Sequence, residues 1–344
     1  VNSKNKAKKK TRIRKILIVG LVVLALIISA FIYLIRRPTG TVTGGFHWGI
    51  AFSRIFSEQM GLDWQQNYLA IVNDLRPEYL RLPIYWQDIE AEPGRFNFGY
   101  YDWMIDQAEQ NNIKIILVIG RKTPRWPECN LPDWVNKKDL ESQKQPVLNE
   151  VTQIVERYKN REGLYAWQVE NEPFLNFGEC PLMGGDFLDT EIARVRQLDP
   201  GHPIVVTDSG ELSAWVLAAK RADIFGTTMY LIVHSQKVGY LEYHLPPTFF
   251  WLKANIVHLL YPGKPITVSE LQAEPWGPNL LYDISLDEMM KTMNFAQFQK
   301  NIEYAKEVGF PDIYLWGAEW WWWMKTTQGD ARYWDYAKEI IHNQ

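Results

Sequence analysis

From Phe46 onward the chain alternates two apolar rhythms. Short β-branched and aliphatic runs occur at 46–52, 79–82, 114–119, 166–170, 204–207, 224–228, 266–269 and 312–315. Their length and density predict strands. Between them lie amphipathic stretches with helical spacing, near 64–75, 98–112, 147–159, 185–198, 213–222, 248–260, 287–308 and 331–342. No change of composition interrupts this rhythm, so 46–344 reads as one domain. Strict β/α alternation implies parallel strands joined by helical crossovers. Eight units predict a closed (β/α)₈ TIM barrel, an α/β fold whose site lies at the C-terminal ends of the strands.

The N-terminal pattern is different. Residues 16–35 are nearly all aliphatic, with only Ser29 and Tyr33 carrying polar groups. A helix of that length is about 30 Å long, enough to cross a bilayer core. A basic tail, 1–15, precedes it. This order predicts a single-pass signal anchor with a cytoplasmic tail, a linker over 36–45 and a catalytic domain on the extracytoplasmic side of the cell membrane. A cleaved signal peptide is the alternative, with Ser29-Ala30 as its candidate processing site. Its apolar core would be shorter, roughly 7–15 residues.

Charge sharpens this division. Residues 1–37 hold ten Lys and Arg and no acid, whereas the remaining 307 carry 27 basic and 40 acidic side chains. An acidic domain is a poor partner for nucleic acid, whose binding rests on phosphate neutralisation. Two Cys, six scattered His and the lack of a Gly-rich phosphate loop give no reason to expect a metal or another cofactor.

Two strands end in carboxylates. Trp167 and Val169 alternate with polar residues, and Pro173 stops the strand just after Asn171-Glu172. The run Ile266-Thr267-Val268-Ser269 ends likewise in Glu270. As the fourth and seventh strands of a barrel, they share one mouth. Two facing carboxylates suit glycoside hydrolysis, one protonating the leaving oxygen and one attacking the anomeric carbon. Glu170, Asp208, Glu211, Glu274 and Glu319 are rival carboxylates. The chain has 16 Trp. Trp316, the run Trp320 to Trp323 in the expected eighth loop, Trp48, Trp86 and Trp126 all fall near strand ends. They are candidate platforms for an oligo- or polysaccharide, with a ligand-free hydrophobic lid as the alternative. Cys129 and Cys180 follow the third and fourth strands, and an oxidising exterior permits a disulfide between them.

These motifs resemble the retaining β-glycosidases of glycoside hydrolase clan A, especially cellulase-like and β-galactosidase-like members. The resemblance covers nearly all of 46–344. Asn171-Glu172-Pro173 resembles the acid/base motif, and Glu270 the nucleophile. Tyr79-Leu80-Arg81-Leu82-Pro83-Ile84-Tyr85-Trp86 is similar to a second-strand segment whose Arg hydrogen-bonds the nucleophile. Tyr230 is similar to a Tyr that touches it. The resemblance implies that Arg81 favours the ionised form of Glu270. It implies that Glu270 in turn holds the proton on Glu172, and that Asn171 donates to the sugar 2-hydroxyl. The pattern departs at Thr228 and at Gly120-Arg121-Lys122-Thr123-Pro124, where His is common. The implied function is a membrane-anchored retaining glycoside hydrolase. A surface transglycosylase and a non-catalytic carbohydrate-binding barrel are the alternatives.

Overall fold

The β-rich runs form the strands β1 His47–Ala51, β2 Tyr79–Pro83, β3 Lys114–Ile119, β4 Leu164–Val169, β5 Ile204–Asp208 and β6 Ile224–Met229. They continue with β7 Ile232–Ser235, β8 Gly239–Glu242, β9 Ile266–Gln272 and β10 Asp312–Trp316. This is a computed structural model that describes residues 2–36, 42 and 44–343, with backbone alone for 2–11 and 34–36. Eight strands close a parallel barrel in the order β1-β10-β9-β6-β5-β4-β3-β2. Their bounds fall within three residues of the expected ones. The antiparallel hairpin β7–β8 is an addition that the sequence did not announce.

Burial follows from this closure. Tyr79, Ile116, Ala166, Val205 and Tyr314 form a cluster of their own. A Cβ on Gly49 would lie 2.3 Å from the Tyr314 ring, so only glycine lets that ring pack there. The helices bury their apolar stripes against the outside of the barrel.

Three helices differ from expectation. The third crossover helix runs Leu140–Tyr158 and contains Pro146, because Asp139 caps it upstream by accepting from the Ser142 N–H. The long stretch at 287–308 is two helices, Leu286–Met293 and Phe295–Val308. Asn294 ends the first and caps the second with its side chain. The tryptophan run is helical within Ala318–Thr327 and does not form a loop.

The N-terminal helix spans Asn2–Arg36. Its segment Arg12–Tyr33 has 22 residues, the most apolar 18 of which have a mean hydropathy of 3.0, and its side chains are exposed. Length and composition suit a membrane span, and a signal sequence would look the same. Of the expected linker 36–45, residues 37–41 and 43 lie outside the described residues.

Candidate active site

A bulge aims Glu270. Between Val268 and Leu271, β9 has one residue more than β10 opposite it, and its pairing with β6 shifts at the same place. Thr227 pairs with Val268 and Thr228 with Glu270, so Ser269 is the extra residue, its hydroxyl donating to the Thr227 carbonyl at 3.1 Å. Such a bulge turns the next side chain away from the pleat. At the end of β4, Glu170 and Glu172 have φ of +58° and +43°. These left-handed residues take the chain out of the strand at the mouth, where strain of this kind concentrates.

Arg81, on β2, links the two strand ends. Its Nη1 donates to Glu270 Oε1 at 2.8 Å, its Nη2 to Asn171 Oδ1 at 2.8 Å and its Nε to Gln168 Oε1 at 2.7 Å. Asn171 Oδ1 also accepts from Gln168 Nε2 and Thr207 Oγ1, both at 3.3 Å. With three donors on the oxygen, the amide orientation is determined. The buried Nδ2 has no partner in the protein and is left for a ligand. Tyr230 donates its hydroxyl to Glu270 Oε2 at 2.8 Å. Burial, then the Glu270 charge, pushes the Tyr230 phenol well above its usual range, so it remains a donor.

Thr228, where the resembling family commonly has His, faces Glu172. Its Oγ1 accepts from the Gly210 N–H at 3.0 Å and donates to Glu172 Oε1 at 3.2 Å. Burial pushes the Glu172 carboxyl well above the usual range, followed by the charges of Glu128 and Glu270. Glu270 thus contributes as expected, yet burial leads and Glu128 comes before it.

Glu270 and Tyr230 line a cavity of about 670 Å³ with Trp126, Phe177, Trp276 and Trp316. Trp126 stands half-exposed against Phe177, Phe177 against Trp276 and Trp276 against Tyr230, with ring centroids 6.0, 5.9 and 5.2 Å apart. Phe177 and Trp276 were not foreseen, since neither closes a strand.

The other expected platforms divide. The Arg125 guanidinium lies 4.1 Å over the Trp316 ring and 3.7 Å from Phe56 on its other side, so it takes a face of Trp316 that a sugar would need. Trp86 and Trp320 are fully buried, bonded to Glu90 and to the Met289 sulfur, and do not reach the cavity. Trp48 is buried beside a separate hollow lined by Phe46 and Tyr336. These three are core residues. Trp321 is buried too, and Trp322 and Trp323 pack on the core. The run forms no platform because the helical period turns it into the barrel wall.

The rivals also find places. Glu170 accepts from the backbone N–H groups of Arg121 and Lys122 at 3.0 and 2.7 Å. Glu211 accepts from the Tyr230 N–H, and Asp208 from the Ser209 N–H. Glu274 lines the cavity and shares Arg125 with the buried Glu319. Lys122 and Glu128 form an ion pair at 3.0 Å that the sequence reading did not single out. Cys129 and Cys180 are disulfide-bonded, with Cα atoms 4.8 Å apart, as expected. Among the described residues no group of three or more His, Cys, Asp or Glu side chains is arranged to hold a metal ion.

Comparison with known proteins agrees with this fold. Residues 62–221 match the family model Glycosyl hydrolase family 10. Endo-1,4-beta-xylanase 3 of Hypocrea jecorina is 28% identical over 154 residues, 43% of this chain and 42% of the relative. The chain thus spans less than half the length of that relative. Among solved structures, the β-galactosidase of Rahnella sp. R3 aligns with a TM-score of 0.59 at 12% identity, over 89% of this chain and 57% of the other. Xylanase 10B of Thermotoga maritima aligns with a TM-score of 0.58 at 16% identity, over 87% and 95%. The clan A resemblance drawn from the strand-end motifs is borne out.

Proposed function

We propose that this chain is a retaining β-glycoside hydrolase, with Glu270 as nucleophile and Glu172 as acid/base. The reading rests on one observation above the rest. A single guanidinium, Arg81, holds both Glu270 and the Asn171 oxygen, which leaves the Asn171 amide nitrogen as a free buried donor. A sugar 2-hydroxyl is the partner that would use it, and such a contact strengthens in the transition state. Glu270 receives Arg81 and Tyr230 and is held as an attacking carboxylate. Glu172 keeps its proton through burial and neighbouring charge, as an acid that acts first must. Once Glu270 is esterified its charge is gone, and Glu172 can serve as base in the second step.

The named xylanase relative makes β-1,4-linked plant polysaccharide the first substrate class to try. Trp126, Trp276 and Phe177 would supply stacking faces. The apolar helix Arg12–Tyr33 supports the further reading that the enzyme is anchored in the cell membrane, with the barrel outside.

The test uses the full chain in detergent. It is assayed on dinitrophenyl β-glycosides of xylose, glucose, galactose, mannose, xylobiose and cellobiose. The matching 2-deoxy-2-fluoro glycosides are then used to trap the enzyme. Turnover with mass-spectrometric mapping of the label to Glu270 is expected. Release of the inverted anomer first, or labelling of Glu274 or Glu319, would overturn the assignment.

A further inference from the structure

Glu128 lies outside the strand-end motifs that carry the resemblance, yet it stands in the same cavity as Glu270 and Tyr230. It lies in the loop after β3, directly before the disulfide-bonded Cys129. The disulfide joins this loop to the one after β4. Backbone bonds tighten the joint, with Glu128 N–H on the Arg125 carbonyl at 2.7 Å and Glu179 N–H on the Pro127 carbonyl at 2.9 Å. A Cβ on Gly178 would come within 2.8 Å of the Glu128 Cβ, so the two loops touch at this point. The backbone of Glu128 is therefore fixed from both sides, at a left-handed φ of +56°.

Its side chain is one-tenth exposed, and that fraction opens on the cavity. Lys122 Nζ lies 3.0 Å from Oε2, but Oε2 completes no aligned hydrogen bond. The ammonium is directed instead at the carbonyls of Asn171 and Glu172, at 3.0 and 3.2 Å. An ammonium has three donors, and a carboxylate has about four acceptor positions. The pair leaves most of the acceptor capacity of Glu128 unused inside a nearly closed space. Buried acceptors without donors are unfavourable, so the site favours a ligand that brings donors.

Two classes of ligand bring them: the hydroxyls of a neutral sugar, and the ammonium of an amino sugar. Lys122 already supplies a cation to Glu128, Arg81 to Glu270 and Arg125 to Glu274. The cavity carboxylates thus need hydrogen-bond donors more than they need another charge. An anionic sugar would meet three carboxylates there.

Resting on the glycosidase reading, we propose that Glu128 is a specificity residue of the cavity. It accepts hydrogen bonds from a hydroxyl pair of the sugar bound against Glu172 and Glu270, and so reserves that position for neutral sugars. Lys122 is the positioning residue that ties this acceptor to the Asn171-Glu172 backbone.

The test takes the dinitrophenyl β-glycoside that the wild-type chain hydrolyses best, together with its monodeoxy analogues, its 2-amino-2-deoxy counterpart and the corresponding uronide. Glu128→Gln should lower kcat/KM on the parent by roughly 10- to 100-fold, the range for a hydrogen bond to a charged group. On each of the two analogues that lack one of the hydroxyls read by Glu128, the substitution should cause a clearly smaller further loss than on the parent. On the other deoxy analogues the two losses should multiply, as for independent sites. A uniform loss across all analogues would show Glu128 to be only the counter-ion of Lys122. Turnover of the uronide, or of the amino sugar in preference to the parent, would also overturn the proposal. Glu128→Asp withdraws the carboxylate by one methylene and keeps the charge, and it gives the same comparison if the Gln variant does not fold. A wild type inert toward every aryl glycoside sinks the glycosidase reading itself. An active wild type with uniform loss sinks this inference alone.

Discussion

Arg81 and Glu270 form an ion pair in which the two side chains are 1% and 5% exposed, with Nη1 2.8 Å from Oε1. Removing one member of a buried pair leaves the other charge uncompensated, which costs about 3–5 kcal/mol. Arg81→Met should therefore lower stability by that order, as measured by denaturant unfolding. Arg81→Lys keeps the charge but cannot reach Gln168, Glu270 and Asn171 together, because an ammonium lacks the planar fork. It should retain more stability than Arg81→Met and still lose roughly 10²-fold or more in kcat. Near-wild-type kcat for Arg81→Lys would show that the fork is not needed.

Tyr230 and Glu270 define a smaller effect. Tyr230→Phe deletes one hydrogen bond to a charged group and leaves the ring against Trp276. Roughly 10- to 100-fold lower kcat, with little change in unfolding midpoint, is expected. An unchanged kcat would place this hydroxyl outside the chemistry.

Stability should fall as pH rises through neutrality. Glu150 and Glu191 are buried, carry unpartnered oxygens and have carboxyls pushed well above the usual range, by burial first and then by Glu170. Burial also pushes Glu211 and Glu319 up to about 7. A folded-state pKa above the unfolded value of about 4.3 gives stability that is complete below that value. It is lost as pH rises toward the folded value. The thermal midpoint should therefore drop between pH 5 and pH 8. Glu150→Gln should flatten this slope and raise the midpoint at pH 8 by roughly 2–4 °C. A midpoint that rises over the same interval would contradict the sign.

The disulfide gives an independent stability test. Cys129 and Cys180 are 51 residues apart, and a loop of that size corresponds to about 4 kcal/mol by chain entropy, with smaller values common in practice. Cys129→Ser with Cys180→Ser should lower unfolding free energy by about 2–4 kcal/mol. The same pair should weaken substrate binding, because the bridge adjoins Glu128. Loss of stability with unchanged KM would separate the bridge from the site.

How much of this was legible depended on where a residue's partner lay. The strand runs were visible because a strand buried on both faces needs a dense apolar segment, and β3 and β5 supply one. Glu172 and Glu270 stood out because an apolar run ends in a carboxylate at each. The bulge at Ser269 left no mark, since a one-residue slip is defined only against β6 and β10. Trp48, Trp86 and Trp320 were misplaced because a tryptophan near a strand end can turn to the cavity or to the wall. The helical period of Ala318–Thr327 made that choice for Trp320. Lys122 and Glu128 were hidden for a further reason. Lys122 sat in a run noted only for lacking His, and the Trp-Pro-Glu-Cys segment 126–129 was read for Trp126 and Cys129 alone.

Stereochemistry offers the most discriminating check on the two carboxylates. Glu270→Gln should abolish turnover, because an amide cannot form the glycosyl-enzyme ester. Glu172→Gln should lose roughly 10²–10⁴-fold on substrates whose leaving group needs a proton. On dinitrophenyl glycosides it should lose far less in the first step, because that leaving group departs unassisted. The second step still needs a base, so Glu172→Ala should accumulate glycosyl-enzyme. Azide, which needs no base, should then restore turnover. Attack on an α-linked intermediate gives the β-glycosyl azide. In Glu270→Ala the same anion would enter the emptied nucleophile position and, if supplied an activated β-glycoside, give the α-azide directly. The two variants should therefore yield opposite anomers, distinguishable by proton NMR. Identical anomers from both, or rescue of neither, would mean that these residues do not divide the work as nucleophile and acid/base.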